Sequence, residues 1–192
     1  MVIMKLILAS ASPRRAELLR QIGVDFDVRA VDIDESPQVA ESPKDYVERL
    51  AVEKARTAKL LYQQQDVLVL GSDTAVIIDD EILGKPEDKQ HALDMLQRLS
   101  AQTHTVLTSV ALVGERECCI VNENLVTFSR ISNAQLEWYL ATGEAMDKAG
   151  SYAIQGHAAI FIKHLEGSFS GVMGLPLYET YLLLKQQGFS VP

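Results

Sequence analysis

Leu6-Ile7-Leu8-Ala9-Ser10-Ala11-Ser12-Pro13-Arg14-Arg15-Ala16-Glu17-Leu18-Leu19 is the stretch that decides how this chain folds. A short apolar run ends in small hydroxyl residues, a proline follows, and two arginines open a helical pattern. This reads as a buried strand running into the N-terminus of a helix. Ser12 suits the N-cap and Pro13 the first helical position. The free N–H groups of a helix start attract anions. Arginines in that turn oppose the helix dipole, so their placement points to an anionic ligand, with phosphate the natural match. The competing reading is two solvated arginines on an ordinary amphipathic helix. This segment alone leaves the two readings level.

Working outward, 192 residues suffice for one domain with a sizeable core, expected to span 1–192 as two lobes around a cleft. The 47% hydrophobic content is that of a soluble globular chain. The net charge of −8 argues against a broad nucleic-acid surface, which needs clustered basic residues, but not against a small anion met by a few local cations. No apolar run approaches the ~20 residues of a membrane span, and no signal-peptide pattern opens the chain, so neither membrane nor nucleic acid is an expected partner. Cys118 and Cys119 are the only cysteines. Neighbouring cysteines seldom form an ordinary disulfide, so a reducing cytoplasm is expected. His91, His104, His157 and His164 show no metal-ligand spacing with them and read as structural or surface residues.

Periodicity predicts alternating α and β elements, hence a mixed α/β fold around a long twisted sheet flanked by helices, with a central cleft. Strands are expected near 4–9 and 25–30, with a helix at 13–22 capped by Gly23. A polar loop at 32–43 precedes a helix at 43–62, with Leu50, Lys54, Ala58 and Leu61 near one face. Val67-Leu68-Val69-Leu70 reads as a strand buried on both faces. A hairpin from Ala75 to Gly84 turns near Asp79-Asp80. Helix 88–99, strands 104–113 and 117–129, helix 132–141, loop 150–156, strand 158–164 and helix 176–187 complete the reading.

Several segments are candidates for chemistry. Gly71-Ser72-Asp73-Thr74 reads as the C-terminal end of the most buried strand, where α/β sheets bind ligands. An aspartate there suits a divalent cation or a water, although the same residues are common in plain turns. Lys85, between Gly84 and Pro86, sits in a stiff extended segment and can reach a phosphate oxygen. Lys54 either snorkels to the surface or points into a polar cleft. Asp32, Asp34 and Glu35 offer oxygen ligands for Mg²⁺ or Mn²⁺, and their spacing alone favours a solvated loop. Gln155 offers a donor and an acceptor that match the imide edge of uracil or thymine, and a rotated amide would serve cytosine. Walker A, Rossmann and nucleophile-elbow patterns are all absent.

Taken together and in order, Ser10-Ala11-Ser12-Pro13-Arg14-Arg15, Asp34-Glu35, Glu53-Lys54-Ala55, Gly71-Ser72-Asp73-Thr74, Gly84-Lys85-Pro86, Asp147-Lys148-Ala149-Gly150 and Gly174-Leu175-Pro176 resemble the Maf family of nucleoside triphosphate pyrophosphatases, also described as septum-formation inhibitors. The resemblance runs from the first strand to the last helix. It implies a fold related to the inosine triphosphate pyrophosphatases, a homodimer, and a divalent cation, Mg²⁺ or Mn²⁺. It implies hydrolysis of dTTP and UTP, and of modified pyrimidine triphosphates, at the α–β bond. Arg14, Thr74 and Gln155 match the subgroup that takes dTTP and UTP rather than 7-methyl-GTP, and are the implied specificity residues. Asp73 is the implied proton acceptor. Ser10, Ser12, Arg15, Lys54 and Lys85 would bind phosphates, and Glu35 with Asp73 would hold the metal. Two rival readings stand beside this one. The first is a partner-binding regulator of cell division, its division partner unknown. The second is a purine-type pyrophosphatase acting on ITP or XTP.

Overall fold

The computed structural model describes residues 4–62 and 66–191. The sheet is built from β1 (Lys5–Leu8), β2 (Asp27–Val28), β3 (Val67–Ile78), β4 (Glu81–Leu83), β5 (Thr103–Val113), β6 (Glu117–Phe128) and β7 (Ile162–Glu166). The helices are α1 (Pro13–Gln21), α2 (Pro43–Lys59), α3 (Lys89–Leu99), α4 (Asn133–Ala141), α5 (Phe169–Met173) and α6 (Leu177–Gln186). Strand order is β2-β1-β3-β5-β6-β7, with β4 paired to β3 outside that path. The expected mixed α/β architecture is what the chain forms.

β1 is parallel to β3, with Leu8 opposite Leu70, and it stops there. β3 continues for eight more residues, antiparallel to β5, up to Ile78. Beyond Leu70 the edge of β3 is therefore no longer covered by β1, and a cleft opens at that point.

Alternate residues of β3 face opposite sides, as the pleat requires. Leu68 and Leu70 join Leu18, Leu19, Leu183 and Leu184 of α1 and α6 in one core. Val67 and Val69 join Ala51, Ala55 and Ala58 of α2 in another. The small residues of α2 let it lie very close to the strand. A Cβ on Gly71 would fall 2.1 Å from the Ala51 carbonyl oxygen, so only glycine allows this approach. Further along, Val76, Ile78 and Val106 enter a third, more aromatic cluster with Phe128, Tyr139, Tyr152 and Phe161. The long strands thus run continuously from aliphatic into aromatic packing, and the cleft lies between.

Helix starts follow local chemistry. Ser42 accepts from the Asp45 N–H, Asp88 from the His91 N–H, and Ser132 with Gln135 forms a capping box. Ser12 does occupy the N-cap position of α1, but its side chain makes no capping bond and the first turn holds no acid.

The chain departs from the sequence expectations at several elements. The second strand shrinks to Asp27–Val28, and the helix at 43–62 ends at Lys59 with Leu61 exposed. Residues 157–161 form a 3-10 turn, and the strand expected at 158–164 is Ile162–Glu166. The short α5 was not foreseen. The tetrad Gly71–Thr74 lies in the middle of β3, not at a strand end. It meets the cleft because the neighbouring strand ends. Among the described residues, no helix is long and apolar enough to cross a membrane.

Candidate functional site

A cavity of about 580 Å³ opens where β1 stops. Ser10, Ser12, Arg14, Arg15, Glu35, Lys54, Asp73, Thr74, Lys85 and Gln155 all line it. These ten residues therefore reach one site, although they come from six separate segments of chain. Asp32 and Asp34 do not line it and stay exposed, with Asp34 accepting from the Ser36 N–H at 2.9 Å.

Asp73 and Thr74 leave opposite faces of β3, and both reach the cavity past its uncovered edge. On one face the tight α2 contact at Gly71 brings Lys54 over the strand. Its Nζ lies 2.7 Å from Asp73 Oδ1 and 2.7 Å from Glu35 Oε1. Lys54 thus points into the cleft, which resolves the choice left open by the helical pattern. Glu35 arrives on a loop tied down to α2. The Tyr46 hydroxyl donates to the Glu35 carbonyl at 2.9 Å, and Arg49 donates to the Ser36 carbonyl while forking onto Glu41.

On the other face Arg15 is held by three bonds. Nε donates to the Gly174 carbonyl at 2.7 Å, Nη1 to Ser10 Oγ at 3.1 Å and Nη2 to Thr74 Oγ1 at 3.2 Å. A guanidinium has five N–H donors, so two remain for a ligand. Thr74 Oγ1 also pairs with Thr108 Oγ1 at 3.0 Å, and Thr108 donates to the Gly171 carbonyl. Thr74 therefore orients Arg15 as well as lining the cavity. Gly174 holds φ at 116°, a conformation that favours glycine, and its carbonyl receives both Arg15 and Ser72 Oγ.

The buried setting tunes the ionisable groups. Burial pushes the Asp73 carboxyl above its ordinary range, while Lys54 and Arg15 oppose that rise. Burial also acts to raise Glu35, but the Lys54 bond and the charges of Lys54, Lys85 and Arg15 outweigh it and hold Glu35 low. Burial and the nearby charges of Asp73 and Glu35 raise the Tyr46 phenol to about 12, so it remains a donor. The two carboxylates already converge on one cationic group, Lys54 Nζ. Two carboxylates are the oxygen ligands that a hard divalent cation takes; among the described residues no group of three or more His, Cys, Asp or Glu is gathered to hold one.

The remaining wall comes from residues 144–161, a run of 3-10 turns. Gln155 is exposed, and among the described residues its amide has no hydrogen-bond partner. Val31, Ile82, Leu83, Val106, Tyr152 and Met173 add apolar surface. Tyr46, Thr108 and Tyr152 were missed as site residues. Their only sequence signal was position on elements now seen to border the cleft. Lys148, from the Asp147-Lys148-Ala149-Gly150 motif of the family resemblance, also lines the cavity.

The chain is 49% identical over 188 residues to a dTTP/UTP pyrophosphatase of Symbiobacterium thermophilum, covering 97% of this chain and 96% of that protein. A dTTP/UTP pyrophosphatase of Alkalilimnicola ehrlichii is 51% identical over 183 residues, covering 93% and 91%. Among solved structures, a HAM1 protein from Coxiella burnetii superposes with a TM-score of 0.53 at 15% identity, over 96% of this chain and 100% of that one. That likeness concerns the fold alone. The family described as Maf-like protein matches residues 5–187, and on that match and those identities the chain belongs to the Maf-like family.

Proposed function

We propose that the protein is a nucleoside triphosphate pyrophosphatase that converts dTTP and UTP, with water, to the nucleoside monophosphate and pyrophosphate. The observation that carries this reading is a single cavity combining a buried carboxylate, Asp73, and an exposed one, Glu35, on one lysine, an arginine fixed by three bonds with donors to spare, and an amide, that of Gln155, with no partner among the described residues. The names of the relatives from Symbiobacterium and Alkalilimnicola agree with it.

In this reading Arg15, Lys54 and Lys85 neutralise the polyphosphate, and the Ser10 and Ser12 hydroxyls and the free N–H groups at the start of α1 donate to its oxygens. Glu35 and Asp73 would hold Mg²⁺ or Mn²⁺, which supplies charge neutralisation and a more acidic water when bound. Water attacks the α-phosphorus, the α–β bridging bond breaks, and pyrophosphate leaves. Asp73 is the group that orients this water and receives its proton. A free aspartate, with a pKa of about 3.9, is a weak base near neutrality. Burial of Asp73 moves it in the useful direction. Arg14, Thr74 and Gln155 select the base, Thr74 acting in part through Arg15. A homodimer in the cytoplasm, acting as one domain with two lobes, completes the reading.

The test is a panel of dTTP, UTP, CTP, ITP, XTP and 7-methyl-GTP with Mg²⁺ or Mn²⁺, the products being separated. Monophosphate plus pyrophosphate from dTTP and UTP is the expected result. Orthophosphate release, or preference for a purine, would overturn it.

A further inference from the structure

Gln155 cannot by itself choose between uracil and cytosine, because a turned amide offers either pattern. To discriminate, the amide must also meet the base from a fixed place, which the backbone that carries it sets. That backbone has little regular structure of its own. Residues 144–161 form three 3-10 turns, and Gly150 and Ser151 both sit at positive φ, 67° and 62°. A non-glycine residue there is held by its surroundings.

One side chain does most of the holding. Glu144 Oε1 accepts from the Tyr139 hydroxyl at 3.0 Å and from the Ala158 N–H at 3.4 Å. Glu144 Oε2 accepts from the His157 N–H at 3.0 Å and meets His157 Nδ1 at 3.0 Å. The Glu144 carbonyl accepts from Lys148 Nζ at 2.9 Å. The residue thus ties α4, the start of the loop and its end to a single point. Gly156, next to Gln155, lies against the same carboxylate. A Cβ there would fall 2.1 Å from Glu144 Oε2. Gly156 has φ −104°, open to any residue, so its lack of a side chain is a matter of space alone. Lys148, Ala149, Tyr152, Ala153 and Gln155 line the cavity from within the closed loop, and Glu144 is outside the lining.

We propose that Glu144 is a positioning residue for base selection: without touching substrate, it sets the register in which the loop presents Gln155. This rests on the reading of the site as a pyrimidine triphosphate site. The experiment compares kcat and KM for UTP and CTP in wild type, Glu144→Ala, Glu144→Gln, Gly156→Ala and the Glu144→Ala/Gly156→Ala double variant. Melting temperature is recorded for each. Loss of one to two hydrogen bonds corresponds to about a tenfold effect. Glu144→Ala is expected to raise KM for UTP ~10-fold and lower the UTP:CTP ratio of kcat/KM by a similar factor, with kcat within ~3-fold. Glu144→Gln, which keeps an acceptor oxygen, should recover part of that ratio. Gly156→Ala should reproduce the loss in wild type and add nothing in the Glu144→Ala background, where the obstructing carboxylate is gone. A folded Glu144→Ala or Glu144→Gln protein with a lower melting temperature and an unchanged UTP:CTP ratio overturns the proposal alone. A wild type with no preference for UTP overturns the functional reading and this proposal with it.

Discussion

The two walls of the cavity are built on opposite plans. The charged wall stands on the middle of β3 and the body of α2, with Asp73 and Lys54 both buried. The loop wall stands on 3-10 turns, with Gln155 exposed. A buried ion pair is costly unless its geometry is fixed, and strand and helix backbones fix it. Base reading needs donors and acceptors that meet an incoming ring, and a loop held from behind supplies these without burying them. The contrast implies that damage to the charged wall should abolish turnover or stability, and damage to the loop wall should change preference.

The strongest challenge to that contrast is Asp73→Asn. Turnover should fall ~10²–10⁴-fold, about 3–5 kcal/mol, with nucleotide binding largely kept. Single-turnover kinetics beside calorimetric binding would check it, and a near wild-type kcat would break the assignment. Gly71→Ala attacks the same wall through its scaffold. The clash is with backbone, so a loss of about 3 kcal/mol is expected, the upper end of overpacking costs, read as a lower urea midpoint at constant slope.

A third test lies behind the loop wall. His104 Nε2 pairs with the Tyr152 hydroxyl at 2.8 Å, and burial lowers its pKa to about 4. In the unfolded chain it would titrate near 6.5 and bind the proton more readily there than in the fold. Stability from keeping it neutral is therefore complete above pH ~6.5 and is lost as pH falls toward 4, by up to about 3 kcal/mol. Denaturation across that range should show the slope, and His104→Phe should flatten it. The smallest effect belongs to Gln155→Glu. KM for UTP and dTTP should rise ~10-fold, while inhibition by pyrophosphate shifts less than ~3-fold. Equal losses in both would show that the loop wall is not selective.

The charged wall was far more legible in the sequence than the loop wall. Arginines in a first helical turn and an aspartate after an apolar run both break local preferences, and such breaks mark sites. Lys54 stayed ambiguous because helical spacing cannot tell a cleft from solvent. Its partners lie 19 residues away at Asp73 and on the far side of a polar loop at Glu35. Gly71–Thr74 was misplaced at a strand end because the deciding fact, where β1 stops, belongs to a different strand. The 3-10 turns at 144–161 have neither a 3.6 nor a 2.0 period, so nothing in the pattern announces them. Glu144 gave no signal, since its role is to satisfy backbone N–H groups 13 and 14 residues away.

The bond from Arg15 to the Gly174 carbonyl joins positions 159 residues apart. On a ribosome, Arg15 emerges early and waits for its partner. At ~5–20 residues per second the wait is roughly 8–32 s. Through that interval β1, α1 and α2 can form, yet the guanidinium that should face the ligand lacks the carbonyl that aims it. A nascent chain is thus folded in part but chemically blank until almost its last helix is made. The appearance of activity during synthesis would time the arrival of Gly174.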